Sequence, residues 1–319
     1  MREQQISATD KDHPIQIALV GIGEIAKNQH APAIAASPDF ELVGTVSRNN
    51  SLPGIQSYDS LEELLVKEPG ISCISLCVPP QVRFDLAKEA LSAGKHIMLE
   101  KPPGATLSEV YILRELAARK CKTLFASWHS KCAPMVPRAR HWIAQRTVTG
   151  VDIVWKEDVR RWHPGQSWIW QAGGLGVFDP GINAMSIISE ILPEQFRLTD
   201  ATLGIPENVQ TAICASLKFE TENRVPITAE FDWRNQGKDV WDITVKTTEG
   251  ELRLTHGGSQ LWVDGEFQGL EPEREYPNLY TRFAALVRSE TSDIDTSPLR
   301  HVADAHLYGR REALPPFIE

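Results

Sequence analysis

Lys101 stands between a strand-like run, His96 to Glu100, and two prolines, Pro102 and Pro103. The prolines stiffen the backbone, so the amine is positioned rather than loose. Burial or a neighbouring cation lowers an amine's pKa, which makes such a lysine a usable proton donor or acceptor. A surface lysine paired with Glu100 is the plainer alternative. A second pair lies in Gly173 to Ala184, GGLGVFDPGINA, where Asp179 precedes Pro180 and Asn183 follows Asp179 by one helical turn. Aspartate before proline has the form of a helix N-cap, and residues four apart share a helical face. Capping alone accounts for Asp179 but leaves Asn183 unexplained; together the carboxylate and the amide can grip one ligand.

The run Trp155 to Trp170, WKEDVRRWHPGQSWIW, holds four of the chain's nine tryptophans. Indoles stack on the apolar faces of sugars while neighbouring polar groups read hydroxyls. Glu157 would share a strand face with Ile153 and Trp155, and a carboxylate among apolar neighbours needs a partner, for which a sugar hydroxyl qualifies. Aromatic packing at a domain interface competes as an explanation for some of these residues.

The elements that position these groups begin at Ile15 to Ala26, IQIALV-GIGEIA. An apolar strand breaks into Gly-x-Gly-x-x-Ala and a helix pattern follows, which is the dinucleotide-binding fingerprint in its required context. Gly21 permits the tight turn, Gly23 lets the backbone approach a pyrophosphate, and Ala26 allows close helix packing. Gly21, Ile22, Gly23, Glu24 and Ile25 are thus the expected cofactor cradle, with free helix N–H groups for phosphate. The second strand, Phe40 to Val46, ends at Ser47-Arg48-Asn49 instead of the acidic residue that accepts from NAD ribose hydroxyls. A hydroxyl and a guanidinium suit a 2′-phosphate. NADP is therefore expected, with NAD tolerated.

A helix at Ser60 to Lys67 capped by Ser60, a buried strand at Ile71 to Val78, a helix to Ala93 and the strand His96 to Glu100 follow. A helix at Leu107 to Arg119 and a strand at Thr123 to Trp128 complete the alternation of a doubly wound parallel sheet. Ligands bind beyond the carboxyl ends of such strands, so Cys77, Pro79, Glu100 and Lys101 should face the cofactor. His129, after the last strand, is either a hydrogen-bonded structural histidine or a group lining the nicotinamide or sugar pocket.

The second half reads as several strands, at 151–159, 211–219, 226–233, 240–247, 251–255 and 260–263, with one clear long helix after Asp179. The expected fold is α/β: an N-terminal Rossmann domain over 14–130 and a substrate-binding and oligomerisation domain over 131–319, built on a large open, mainly antiparallel sheet. A helix over 298–313 is a candidate to pack back on the first domain, and residues 1–13 read as a flexible tail.

Composition excludes several classes. Thirty-three Lys and Arg against 42 Asp and Glu give a net charge of −9, which suggests neither nucleic acid nor an anionic membrane as partner. The five cysteines have no paired metal-ligand spacing and fit reduced thiols in the cytoplasm.

The fingerprint, Glu100-Lys101-Pro102 and the helix opening at Asp179 together resemble the Gfo/Idh/MocA family of glucose-fructose oxidoreductase-like dehydrogenases. The runs EKPPGATL, FASWHSKCAP, WKEDVRRWHPGQSWIW and GGLGVFDPGINA are similar to its branch of bacterial D-galactose and L-arabinose 1-dehydrogenases. The resemblance implies NAD(P)-dependent oxidation of the anomeric hydroxyl of D-galactose, and of L-arabinose or D-fucose, to a lactone. It implies Lys101 and Asp179 as the catalytic pair, either of them the base, with Asn183, Glu157, His163 and Trp155 at the sugar. Asn183 stands where many members carry a proton-transferring histidine, a role an amide cannot fill. The resemblance also implies a homodimer or tetramer through the C-terminal sheet. Another aldose or inositol dehydrogenase, or a non-catalytic sugar or nucleotide sensor, are the alternatives.

Overall fold

The computed structural model describes residues 13–318, so the expected tail lies, except for His13, outside the described residues. The fingerprint strand is β1 (Ile15–Val20). It sits inside a six-stranded sheet with β2 (Phe40–Val46), β3 (Ser57–Tyr58), β4 (Cys73–Leu76), β5 (His96–Glu100) and β6 (Leu124–Ser127). The order is β3-β2-β1-β4-β5-β6, and all its pairings are parallel. β4 and β5 are buried at every position, as a sheet covered on both faces requires. The order reverses beside β1, so the crevice for a ligand opens at the carboxyl ends of β1 and β4.

The connecting helices are α1 (Ala31–Ala35), α2 (Leu61–Lys67), α3 (Pro80–Ser92) and α4 (Leu107–Lys120). Ser60 caps α2 as expected, its Oγ accepting the Glu63 N–H at 3.1 Å. Ahead of α1 the helix opens into a π turn over Ala26–His30, where the Ala31 N–H reaches back five residues to the Ala26 carbonyl. Pro32 is the cause: it has no N–H for the Asn28 carbonyl and its ring crowds that group, so the turn before it widens.

The next stretch holds α5 (Val136–Ile143), β7 (Val148–Lys156), α6 (Val159–Trp162) and α7 (Phe178–Ile191). Seven strands follow: β8 (Phe196–Pro206), β9 (Cys214–Thr221), β10 (Pro226–Asp232), β11 (Val240–Thr247), β12 (Gly250–Thr255), β13 (Gln260–Val263) and β14 (Glu266–Leu270). The chain ends with α8 (Glu275–Arg288), α9 (Ser297–Tyr308) and β15 (Arg310–Leu314). β7 to β15 form one mixed, mainly antiparallel sheet in the order β14-β13-β12-β11-β7-β10-β9-β8-β15. Its parallel pairs are β7 with β10 and β8 with β15.

Alternation decides its two faces. Val151, Ile153 and Trp155 are buried, while Asp152, Val154 and Lys156 between them are partly exposed. α7 packs on the buried face, and Gly181 lets it approach: a Cβ there would lie 2.7 Å from the Phe231 ring. The other face is polar and cross-linked, with Lys246 paired to Asp152 at 2.7 Å and Arg253 to Asp242 at 2.5 Å.

The chain divides into two units, residues 13–127 with Tyr276–Ile294, and Trp128–Glu275 with residues 295–318. The segment that rejoins the first unit is thus nearly all of α8, not the C-terminal helix expected over 298–313. That helix, α9, ends at Tyr308 and packs on α7 and β8 within the second unit. Residues 310–314 pair with β8 as an edge strand. No helix among the described residues is long and apolar enough to cross a membrane.

Candidate active site

Within the first unit, the cradle has the geometry a pyrophosphate needs. Gly21 has φ +91°, and a Cβ there would strike Val78 at 2.7 Å, whereas Gly23 faces open space. Any side chain at position 21 is doubly excluded, by conformation and by contact with the residue after β4. Ile22 is buried, while Glu24 and Ile25 are exposed at the helix start. Cys77 and Val78 are half-buried and Pro79 is exposed at the end of β4.

At the end of β2, Ser47 Oγ accepts the Asn50 N–H at 3.2 Å and Arg48 is exposed. Lys27 reaches the same loop, its Nζ donating to Asn50 Oδ1 at 3.4 Å. Lys27 went unnoticed in the sequence, since a lysine in the first turn of the nucleotide helix reads as a solvated residue until the fold brings the β2 loop beside it. Two cations, Lys27 and Arg48, are thus found at the loop after β2.

Lys101 is half-buried immediately after β5, and its bond to Pro102 is cis. Glu100 is not at the surface, where the pairing with Lys101 considered above would put it, and it does not face outward as expected. It is 4 % exposed. Its Oε2 accepts the Lys101 backbone N–H at 2.5 Å, and its Oε1 accepts from the Tyr276 hydroxyl at 2.7 Å and lies 3.2 Å from His30 Nε2. The buried Arg83 guanidinium donates to the carbonyls of Glu100, Pro102 and Val78. Burial lowers Arg83 to about 10, still charged at neutral pH. Burial alone would lower the His30 imidazole, but Cys77, Tyr280 and Glu100 outweigh it and hold it well above its usual value.

In the second unit, Asp179 is not the helix cap expected of it. α7 starts two residues earlier, with Val177 at the cap position, so Asp179 falls in the first helical turn and is 6 % exposed. Its Oδ2 lies 3.5 Å from His163 Nε2. Helical periodicity places Asn183 one turn on, half-buried; among the described residues its side-chain amide has no hydrogen-bond partner.

Glu157 follows β7 and is 4 % exposed. Its Oε1 accepts from Trp233 Nε1 at 3.1 Å and its Oε2 from Trp241 Nε1 at 2.8 Å. Burial pushes its carboxyl up to about 7, with Asp179 and Asp239 adding to the rise and the two indole bonds opposing it. Trp155 stacks on Trp241, ring centroids 6.1 Å apart, and His163 lies 5.1 Å from Trp233. Trp155 Nε1 is a buried donor with no partner among the described residues. Such an orphan in a folded interior is a place for a ligand oxygen or an ordered water. Asp179, His163, Glu157 and Trp155, singled out from the sequence, are thus brought into one aromatic and polar cluster. Trp233 and Trp241 belong to it but lie outside the tryptophan-rich run; the register Trp241 to Trp155 was the missing information.

His129 follows β6. It opens a short 3₁₀ turn, and its Nδ1 meets Glu275 Oε2 at 2.5 Å.

A family profile described as "Oxidoreductase family, NAD-binding Rossmann fold", GFO_IDH_MocA, matches residues 15–127. A galactose 1-dehydrogenase of Pseudomonas fluorescens is 45 % identical over 308 residues, covering 96 % of this chain and 99 % of that one. The chain belongs to the Gfo/Idh/MocA oxidoreductase family. A crystal structure of a D-galactose-1-dehydrogenase from Rhizobium etli superposes with a TM-score of 0.93 at 51 % identity, covering 96 % of this chain and 98 % of that one. A 3-ketoreductase of Actinomadura kijaniata, crystallised with NADP, shares the fold alone at 16 % identity, with a TM-score of 0.81 over 95 % of this chain and all of that one. The family is an enzyme family with an NAD-binding Rossmann domain, and the mixed second sheet is part of its fold.

Proposed function

We propose that this enzyme oxidises the C1 hydroxyl of D-galactose to the aldonolactone with a nicotinamide cofactor, NADP in preference to NAD. The observation that carries the reading is the end-to-end match to a galactose 1-dehydrogenase, which spans the tryptophan-rich second unit as well as the nucleotide domain. L-Arabinose has the same configuration from C2 to C4 and D-fucose lacks only the terminal hydroxyl, so hydrogen bonds to those positions accept all three.

The glycine cradle fits a dinucleotide, because the turn at Gly21 has a conformation and a contact with Val78 that only glycine permits, and Gly23 faces open space. When bound, the nicotinamide supplies the hydride acceptor. Lys101 takes the C1 hydroxyl proton or holds the developing oxyanion, and Asp179 is its catalytic partner. Asn183, His163, Glu157 and the Trp155 indole N–H hold ring hydroxyls and so fix which carbon presents its hydrogen. Lys27, Ser47 and Arg48 receive the 2′-phosphate. The five free cysteines suit a reducing cytoplasm, and the open face of the second sheet joins copies of the chain into a dimer or tetramer.

The test is turnover of an aldose panel with NADP⁺ and NAD⁺, followed by nicotinamide absorbance. Activity on D-galactose and L-arabinose but not D-glucose is expected; inactivity on every aldose despite nucleotide binding would overturn the proposal.

A further inference from the structure

We infer that Glu100 is a positioning residue for Lys101, working through the Lys101 backbone and held for that work by Tyr276 and His30. The inference rests on the reading of Lys101 as the proton-handling group.

Burying a carboxylate at the end of a fully buried strand is unfavourable by several kcal/mol unless its oxygens are paired. An apolar residue would fill that place at no such cost, as Ile97, Met98 and Leu99 do in the same strand. What the carboxylate achieves is visible in its partners. One oxygen takes the backbone N–H of Lys101; the other is held between the Tyr276 hydroxyl on α8 and the His30 imidazole on the nucleotide-binding helix. His30 is fixed in turn, its Nδ1 lying 2.8 Å from the Tyr280 hydroxyl and 3.4 Å from Ser75 Oγ. The carbonyls on either side of Lys101, those of Glu100 and Pro102, are gripped by one guanidinium, Arg83.

The lysine backbone is therefore pinned at its N–H by an anion and at both flanking carbonyls by a cation. All of these groups lie in one unit, and one of them, His30, sits on the helix whose N-terminus faces the cofactor's phosphates. The network registers the amine-bearing backbone against the nucleotide helix. Proton transfer demands that registration, because a displacement of about 1 Å at a reacting group costs on the order of a hundredfold in rate.

The experiment compares the wild type with Glu100→Gln and Tyr276→Phe in the full chain. It measures NADP⁺ affinity by fluorescence titration, kcat and KM with D-galactose, and the primary isotope effect with C1-deuterated galactose. Glu100→Gln should lower kcat roughly 10- to 100-fold while the nucleotide Kd and sugar KM stay within about twofold, the pattern of a group acting only in the transition state. The isotope effect on kcat should rise as the chemical step becomes limiting. Tyr276→Phe, which removes one donor and leaves the other partners, should shift kcat in the same direction by a smaller factor. Should Glu100→Gln not fold, Tyr276→Phe decides alone.

A kcat within twofold of wild type in the folded variants, or a loss that tracks weakened nucleotide binding, overturns the inference and leaves the proposed function standing. A wild type inactive on every aldose overturns both.

Discussion

Glu157 carries the clearest residue-scale consequence, because burial holds its carboxyl near 7 against 4.5 for an ordinary glutamate. The folded chain keeps a proton there that the unfolded chain has already released. The group's stabilising contribution is therefore complete below about 4.5 and is lost as pH rises through about 7. Relative to a Glu157→Gln variant, the wild type should lose roughly 2 kcal/mol between pH 5 and pH 8, read by denaturant unfolding at both pH values. A pH-independent difference would mean that the carboxylate is not desolvated by the tryptophans. Lys101→Met, by contrast, removes the amine and keeps its stem, so nucleotide binding should persist and turnover should fall by roughly a thousandfold or more. Turnover near wild type would remove Lys101 from the mechanism. At position 48, Arg48→Ala should raise the KM for NADP about tenfold and leave that for NAD unchanged, since the loss is one charge-assisted phosphate bond. The placement of Lys101 and Arg48 just past the ends of β5 and β2 was readable, because both strands have largely apolar patterns with clear ends. The partners of Glu157 were not, because Trp233 and Trp241 are 76 and 84 residues away and only strand pairing brings them near.

At the scale of elements, helix α7 sets how closely the second unit's helical layer approaches its sheet. Gly181 faces the Phe231 ring with no space for a side chain, so Gly181→Val forces the helix outward at a cost of roughly 1–3 kcal/mol. Asp179 and Asn183 ride on the same helix, so sugar KM should rise with that displacement while nucleotide binding in the other unit is unchanged. Equal stability of wild type and variant in urea would show that the contact has slack. Strands with clean alternation or a continuous apolar run were readable to the residue: β2, β5, β11 and β13 have the bounds expected of them. β8 was not, although it is the longest strand at 11 residues. Its register slips between Leu198 and Asp200, and that bulge breaks the two-residue period by which a strand is recognised. The ends of α7 and α9 erred for a related reason. Asp-Pro reads as a cap and Pro298 to Ala313 as continuous helix, but cap geometry and edge-strand pairing depend on neighbours that are distant in sequence.

At the scale of the whole molecule, the nine-stranded sheet has one broad face that no helix among the described residues covers. That face is not apolar: Asp152, Lys246, Thr228, Asp242 and Arg253 pair with one another across the strands. Charges neutralised in such pairs can be covered by a second copy without becoming unpaired buried ions, which is the usual obstacle to a polar interface. Val154, near the centre on β7 and flanked by Asp152 and Lys156, is the apolar point at which such a contact would close. A twofold interface repeats every substitution on both partners, so an introduced charge is felt twice. The wild type should sediment at two or four times the 35.6 kDa of one chain, and Val154→Asp should shift it towards the single-chain mass. Val154 lies on the face opposite Trp155 and the Glu157 cluster, so the variant should keep its nucleotide affinity and its Tm at high dilution. A wild type that sediments as one chain at all concentrations would remove the interface. A variant of unchanged mass would move it to another surface.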